Sequence, residues 1–270
     1  TEDLAVIGHD IGRLYAAAHS TTKSLMSASH AKVPGTITFA LAALAVHGFE
    51  PLSLRYFDLE PDGSLRYLTG AELDQRAAAA VGRTAEAKQK VGTGTVYRIW
   101  RLQRNVFANI EITYRPIGDA SAAPRVYRHV VANLDDEHLS ADRRALAHLE
   151  RKGKVAVMTK AASFLLWYDD FAQVRDYLTA NLAWMISDAS GIPPSYATAA
   201  GLEQITYGTF VGAYFVKDPN RVRKQMVKLW AESPARALPF RFGYPDAEDH
   251  AHLMITRPRS SGPRAAGAVY

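Results

Sequence analysis

Residues 155–209, VAVMTKAASFLLWYDDFAQVRDYLTANLAWMISDASGIPPSYATAAGLEQITYGT, carry the densest apolar periodicity of the chain and its most unusual loop. Between residues 161 and 178 the apolar side chains recur at spacings of three and four, which is typical of one buried face of helical structure. Asp169-Asp170 divides this run, and one of these aspartates is predicted to be the N-cap of the second helix. The polar side chains predicted to face water are Gln173, Arg175 and Asp176.

A short apolar run, residues 182–186, leads from this helix into a proline loop. The run predicts a short buried strand, with the end of the preceding helix as the alternative. The loop Gly191-Ile192-Pro193-Pro194 is predicted to be non-helical, because two proline rings fix its φ angles. Rigid loops at the end of a buried element are common places for ligand contacts. The candidate ligand-binding residues are therefore Ser187, Asp188, Ser190, Ser195 and Tyr196. The competing interpretation, which turn preferences favour, is that Asp188 and Ser190 bond their own backbone in a turn.

Strand and helix signals alternate over the rest of the chain. Residues 52–57 and 64–68 flank a Glu60-Pro61-Asp62-Gly63 turn and predict a hairpin. Further strands are predicted at residues 95–102, 106–114, 126–134, 202–207, 211–216, 238–242 and 252–256. Helices are predicted at residues 36–46, where the alanine content favours a buried helix over a strand, and at residues 71–81, 141–151 and 218–230. Together these signals predict an α+β fold, with a largely antiparallel central sheet covered by several helices.

The length of 270 residues is at the upper end of single-domain size. We expect one mixed domain over residues 1–256, followed by a disordered tail over residues 257–270 that is rich in Arg, Ser, Gly, Pro and Ala. Two halves, residues 1–83 and 95–256 joined by a polar linker at residues 84–94, are the alternative.

The composition of the chain excludes several kinds of functional site. The chain has no cysteine, which excludes disulfide bonds, thiolate metal ligands and a cysteine nucleophile. The formal net charge is +5, an excess that solvated surface residues explain. The longest apolar stretch, residues 37–46, is too short to span a bilayer. These features predict a soluble globular protein without a transmembrane segment.

The helix predicted at residues 218–230 carries a basic stripe of Arg221, Lys224 and Lys228. Such a stripe is one mark of a nucleic-acid interface. Exposed aromatic residues do not alternate with it, and no recognisable binding module accompanies it. An ordinary amphipathic helix, with Met226 and Leu229 on its apolar side, explains the pattern better. Nucleic acid is therefore not an expected partner.

Four stretches of the second half form a recognisable set. They are a strand ending in Asn133-Leu134, the Lys160-Ala161-Ala162-Ser163-Phe164-Leu165-Leu166 helix, Arg175-Asp176-Tyr177-Leu178 and the Asp188-Ala189-Ser190-Gly191-Ile192-Pro193 loop. This set resembles a family of uncharacterised exported bacterial proteins. Phe164 stands where that family has tyrosine. The resemblance implies a periplasmic or secreted bacterial protein, with a cytoplasmic location as the alternative. It implies no particular chemistry, since no activity attaches to the family.

The common catalytic and nucleotide-binding motifs are missing from the chain. There is no Gly-x-Gly-x-x-Gly after a strand, no phosphate loop, no His-Glu-x-x-His and no Gly-x-Ser-x-Gly. Ser20-Thr21-Thr22-Lys23 fits the Ser-x-x-Lys pattern of penicillin-recognising enzymes, but the Lys-Thr-Gly strand that accompanies it is absent. The leading hypothesis is therefore a protein that binds a ligand or a protein partner without catalysis, with no cofactor identified.

Two histidines near the end of the chain supply the main competing hypothesis. His250 and His252 form a His-x-His pair beside an acidic segment, and both rings would point to one side of a strand. A zinc site needs a third ligand, such as His129 or His138. The alternative function is therefore a hydrolase, metal-dependent or not, that uses Asp188 or a His129, His250 and His252 cluster. The competing interpretation of the pair is a solvated acidic turn that leads into an edge strand.

Overall fold

The computed structural model describes residues 35–76, 78–79, 109–160, 162–210, 221–242 and 251–259. The chain divides into two compact units. The N-terminal unit comprises Thr1–Glu60 and Leu65–Ala132, and the C-terminal unit comprises Pro61–Ser64 and Asn133–Tyr270. The predicted α+β class is confirmed, and the described strands form two mainly antiparallel sheets of four strands, one in each unit. The predicted linker at residues 84–94 lies outside the described residues.

The sheet of the N-terminal unit is antiparallel throughout and has the strand order β2-β1-β3-β4. The predicted hairpin is confirmed, because Phe57 of β1 pairs with Tyr67 of β2. The elements of this unit are α1 (Gly35–Val46), β1 (Phe49–Leu59), β2 (Leu65–Tyr67), β3 (Ile110–Pro116) and β4 (Arg125–His129). Residues 70–76 and 78–79 are also helical. The predicted strand at residues 95–102 and the Ser20–Lys23 motif lie outside the described residues.

The helix predicted at residues 36–46 is confirmed as α1, and Gly48 follows it with a φ of 74°. One side of α1 packs Ile37 against Ile110 and Ile112 of β3. The expectation of a buried helix holds only in part, since Ile37 is buried but Val46 at its end is exposed. Its apolar composition predicted the helix but not how much of its surface the sheet covers.

The sheet of the C-terminal unit has the strand order β5-β6-β8-β7. Its strands are β5 (Val155–Met158), β6 (Leu182–Ser187), β7 (Leu202–Gly208) and β8 (His252–Pro258). Its helices are α2 (Asp136–Ala141), α3 (Arg144–Glu150), α4 (Ala172–Asn181), α5 (Pro194–Ala199) and α6 (Arg221–Glu232), with 3₁₀ helices at Ala162–Trp167 and Asp169–Phe171. The main core cluster consists of Leu166, Val174, Leu182, Met185, Ile192, Ala197 and Leu202.

The structure corrects the start of the helix predicted at residues 141–151. Asp135 is the N-cap of α2, and its Oδ1 accepts a hydrogen bond of 2.8 Å from the His138 N–H. The helix α2 ends at Ala141, and α3 begins at Arg144. Two short helices therefore take the place of the single predicted helix.

The predicted aspartate cap of α4 is wrong. Phe171 occupies the N-cap position and makes no side-chain cap. The carboxylate of Asp136 caps the start of α4 instead, because its two oxygens accept hydrogen bonds of 3.0 Å from the N–H groups of Ala172 and Gln173. The cap therefore comes from another helix rather than from the adjacent Asp169-Asp170 pair.

The prediction that Arg175 faces water is also wrong, since this residue is only 4% exposed. Its Nη1 donates hydrogen bonds of 3.1 and 3.0 Å to the carbonyl oxygens of Leu166 and Tyr168. The helical period placed Arg175 on the polar side of α4, but the 3₁₀ helices fold back over that side of the helix.

The end of the described chain differs in part from the prediction. The strand predicted at residues 252–256 is confirmed as β8, and it lies between β6 and β7 rather than at an edge. Residues 257–258, predicted to open a disordered tail, belong to β8, and the strand predicted at residues 238–242 is not formed. Residues 260–270 and the strand predicted at residues 211–216 lie outside the described residues. Within the described ranges, no helix combines the length and apolarity needed to cross a bilayer.

Candidate functional site

The strand directions bring several predicted site residues to one edge of the C-terminal sheet. The strands β5 and β6 are parallel, and β8 is antiparallel to both β6 and β7. Consequently β5, β6 and β7 all end at the edge where β8 begins, which we call the carboxyl edge. Ser187 pairs there with Met254, and Gly208 pairs with His252. The carboxyl ends of parallel strands are a common location for ligand sites.

The loop after β6 is fixed by hydrogen bonds among its own residues. The Asp188 Oδ1 atom accepts a hydrogen bond of 2.9 Å from the Ser190 N–H, and also bonds the Ser190 hydroxyl. The Ser190 hydroxyl lies 2.7 Å from that of Ser163. Ser187, Asp188 and Ser190 are fully buried. The backbone bond to Asp188 is the one that the turn interpretation predicts, and the side chains of Asp188 and Ser190 stabilise the loop from inside.

The second half of the loop is held by side chains that donate hydrogen bonds to its carbonyl groups. The Trp167 Nε1 atom donates to the Gly191 carbonyl at 2.9 Å, and the Gln204 Nε2 atom donates to the Ile192 carbonyl at 2.8 Å. The prediction of a non-helical loop is wrong at its last residue, because Pro194 begins α5. Proline is favoured in the first turn of a helix, where its missing N–H has no partner to lose.

Ser195 and Tyr196 are the two members of the predicted set that solvent reaches. Both lie on α5. The Ser195 N–H donates to the Gln225 Oε1 atom of α6 at 2.9 Å. The Tyr196 ring lies under the guanidinium group of Arg175, with 3.9 Å between the guanidinium carbon and the ring centroid. The loop therefore presents to solvent the residues of its helical end.

The histidines of the alternative hypothesis are spread over different elements. His252 is buried at the start of β8, and its ring packs against the rings of Phe210 and Trp230, with centroid distances of 5.4 and 6.0 Å. His129 belongs to the N-terminal unit, and the Nδ1 atom of His138 lies 2.7 Å from Asp135. His250 lies outside the described residues. No group of three metal-ligating side chains occurs within the part of the chain that the structure describes.

A cleft of about 440 Å³ opens at the carboxyl edge. Gly208 forms part of its wall with a φ of 70°, and a Cβ atom here would overlap the Ala251 carbonyl oxygen. The Gly208 N–H donates to the Arg236 carbonyl at 2.8 Å, and the Thr209 N–H donates to the Ala251 carbonyl at 3.0 Å. The lining residues are Gly208, Thr209, Ala235, Arg236, Ala237, Leu238 and Ala251. The volume lies within the range of small-molecule sites.

Arg236 supplies the only charged side chain among these lining residues. Its Nη1 atom lies 3.5 Å from the Thr206 carbonyl oxygen and 3.4 Å from that of Pro234, distances that correspond to weak hydrogen bonds. No carboxylate pairs with Arg236 among the described residues. Many other described arginines do form such pairs, namely Arg55, Arg66, Arg76, Arg115, Arg128, Arg143, Arg144, Arg151 and Arg257.

No local sequence pattern predicts this cleft. Its walls come from segments near residues 208, 236 and 251, which are distant along the chain. Comparison of the chain with protein-family models, with curated proteins and with solved structures finds no match. The chemistry of these residues is therefore the basis for assigning a function.

Proposed function

We propose that this chain is a binding protein that holds a small carboxylate ligand in the cleft beside Arg236, without catalysing a reaction. The observation that carries the proposal is a guanidinium group that lines a cleft and pairs with no carboxylate among the described residues. Its contacts are long: two backbone carbonyls at 3.5 and 3.4 Å, and the Tyr207 ring, whose centroid lies 5.9 Å from the guanidinium carbon. A guanidinium group presents a planar fork of donors that matches the two oxygens of a carboxylate. A carboxylate ligand would supply the counter-charge that the described residues do not.

The walls of the cleft favour binding. Main-chain hydrogen bonds from Gly208 and Thr209 fix its shape, and a preformed site loses less entropy when a ligand binds. The alanines and Leu238 add apolar surface to the lining. Apolar walls lower the local dielectric constant, which strengthens the attraction between Arg236 and an anion.

The buried state of Asp188 supports binding rather than catalysis. Asp188 was the main candidate for acid or base chemistry at this edge, and its carboxylate is fully buried and bonded to Ser190. A general base must reach the proton that it removes, directly or through one water molecule. The resemblance to exported bacterial proteins supports a periplasmic or secreted location for the binding protein.

Calorimetric titration of the purified chain with acetate, succinate and citrate tests this function, with chloride at matched ionic strength as the reference. At least one carboxylate should bind saturably. Ligand at about 100 times its Kd should stabilise the fold by about 2.7 kcal/mol, because it binds only the folded state. The Arg236→Ala variant should bind at least about tenfold more weakly, the result of losing about 1.4 kcal/mol.

Arg241→Ala is the matched control, since Arg241 is an exposed arginine in the same segment. It should bind as the unmodified chain does. Arg236→Lys keeps the charge but not the planar fork, so an intermediate affinity is expected. The proposal fails if no carboxylate binds beyond the chloride reference, or if Arg236→Ala binds as tightly as the unmodified chain.

A further inference from the structure

A buried carboxylate stands in the middle of the N-terminal sheet. Glu111 of β3 is 1% exposed, and it lies in register between Arg55 of β1 and Arg128 of β4. The Arg55 Nη2 atom donates to one carboxylate oxygen. The Arg128 Nε atom and the Tyr67 hydroxyl donate to the other, at 2.7 and 2.8 Å. A single carboxylate therefore fixes two guanidinium groups on one face of the sheet.

Stability alone does not explain this arrangement. Removing a carboxylate from water costs several kcal/mol, and replacing a buried ion pair with apolar side chains is often neutral or stabilising. What Glu111 does achieve is orientation. The guanidinium carbon of Arg55 also lies 3.7 Å from the centroid of the Tyr67 ring, which restrains that side chain a second time.

Both arginines keep donors that face solvent. Glu111 engages only Nη2 of Arg55 and Nε of Arg128, so the other guanidinium nitrogens do not bond its carboxylate. The side chains of Arg55 and Arg128 are 50% and 34% exposed. Two positive charges and one negative charge leave this cluster with a net charge of +1. The two guanidinium groups are therefore held in position and remain accessible to solvent.

We propose that Arg55 and Arg128 together bind the phosphate group of a small ligand, with Glu111 as the positioning residue. A tetrahedral phosphate has oxygens in several directions, so it can accept from two guanidinium groups at once. The ligand is either inorganic phosphate or a phosphomonoester. This site belongs to the N-terminal unit and does not depend on the cleft beside Arg236.

Calorimetric titration of the full chain with inorganic phosphate, at ionic strength held constant with chloride, tests the site. Phosphate should bind saturably, and Arg55→Ala and Arg128→Ala should each weaken binding at least about tenfold, a loss of about 1.4 kcal/mol. Arg125→Ala is the matched control, because Arg125 is an exposed arginine of the same strand and lies on the opposite face from Arg128. It should bind within about twofold of the unmodified chain, as should Arg236→Ala.

Glycerol 3-phosphate then distinguishes the two sources. Tighter binding than phosphate identifies a phosphomonoester ligand, weaker binding identifies free phosphate, and both outcomes support the site. Arg128→Lys retains the charge and checks that weaker binding does not come from a folding defect. It should bind phosphate more weakly than the unmodified chain but have the same melting temperature. Phosphate that acts no differently from chloride overturns the proposal, and so does an equal loss in Arg125→Ala. A loss confined to Arg236→Ala would overturn this site and leave the cleft proposal standing.

Discussion

The guanidinium carbon of Arg175 lies 3.9 Å from the centroid of the Tyr196 ring, and this contact joins α4 to α5. The Nη1 atom of the same side chain donates to the carbonyls of Leu166 and Tyr168 in the 3₁₀ segment. One buried arginine thus connects three elements around the loop that follows β6. Buried charges are tolerated in proteins when hydrogen bonds and neighbouring groups compensate for lost hydration.

Arg175→Met should destabilise the protein by about 1–3 kcal/mol, because it leaves the buried Leu166 carbonyl and the partly buried Tyr168 carbonyl without this donor and removes the contact to the Tyr196 ring. Urea unfolding monitored by circular dichroism measures the change. Asp176→Ala, an exposed change in the same helix, is the control and should stay within about 0.5 kcal/mol. An Arg175→Met variant as stable as Asp176→Ala would show that the arginine does not hold these elements together.

Asp136→Ala should cost about 1–2 kcal/mol, because the carboxylate caps two N–H groups at the start of α4. Urea unfolding again gives the change. Glu137→Ala is the control, because Asp136 and Glu137 both lie in the first turn of α2. Its effect measures what is lost when a negative charge is removed from the positive end of the helix dipole. Asp170→Ala tests the cap that local sequence predicted, and it should have little effect. A larger loss from Asp170→Ala than from Asp136→Ala would refute the long-range cap.

The elements that the sequence predicted are those that follow from local patterns. Apolar periodicity and turn residues predicted the β1–β2 hairpin, β6 and β8, because each signal is contained within about ten residues. The buried state of Arg175 was missed for the opposite reason. Hydropathy assigns arginine to the surface, and only the path of the 3₁₀ segment brings carbonyl acceptors to it.

The candidate sites differ in the same way, since local sequence predicts one of them and only tertiary contacts form the other. The Asp188 loop was found from its prolines and polar residues, whereas the cleft beside Arg236 depends on segments brought together by strand order. Glu111 alternates with the apolar residues Ile110 and Ile112, a pattern that predicts a position on the polar side of the strand. Its buried carboxylate instead bonds arginines on two neighbouring strands, and strand register is not visible in a single strand's sequence.

Gly63→Ala should be one of the most destabilising single changes in the C-terminal unit. Gly63 has a φ of 78°, and a Cβ atom here would overlap backbone atoms of Ala147 and His148. The His148 ring fixes the same turn, with its Nδ1 atom 2.8 Å from the Gly63 carbonyl oxygen. Gly153→Ala is the matched control, since its φ is 65° and nothing lies near its Cβ position.

The control should cost about 1–2 kcal/mol for the left-handed backbone. Gly63→Ala should cost at least about 2 kcal/mol more, because the overlap is with backbone and requires the chain to move. Guanidinium unfolding compares the two variants. Equal losses would mean that the turn does not pack against α3 as described.

The stability of the N-terminal unit should depend on pH through Glu111. Burial raises the pKa of the Glu111 carboxyl, but hydrogen bonds from Arg55, Tyr67 and Arg128 outweigh burial and lower the pKa below its usual value. The unfolded chain then binds this proton more readily than the folded chain. The stabilisation is complete above the ordinary glutamate pKa of about 4.3, and it is lost as the pH falls through the pKa of the folded state.

Urea unfolding between about pH 6 and pH 3 should show a stability difference between the unmodified chain and Glu111→Gln that becomes smaller as the pH falls. Thr113→Val alters the same strand without removing a titratable group, so its difference should not change with pH. A Glu111→Gln difference that is constant or grows with acid would contradict the direction of the shift.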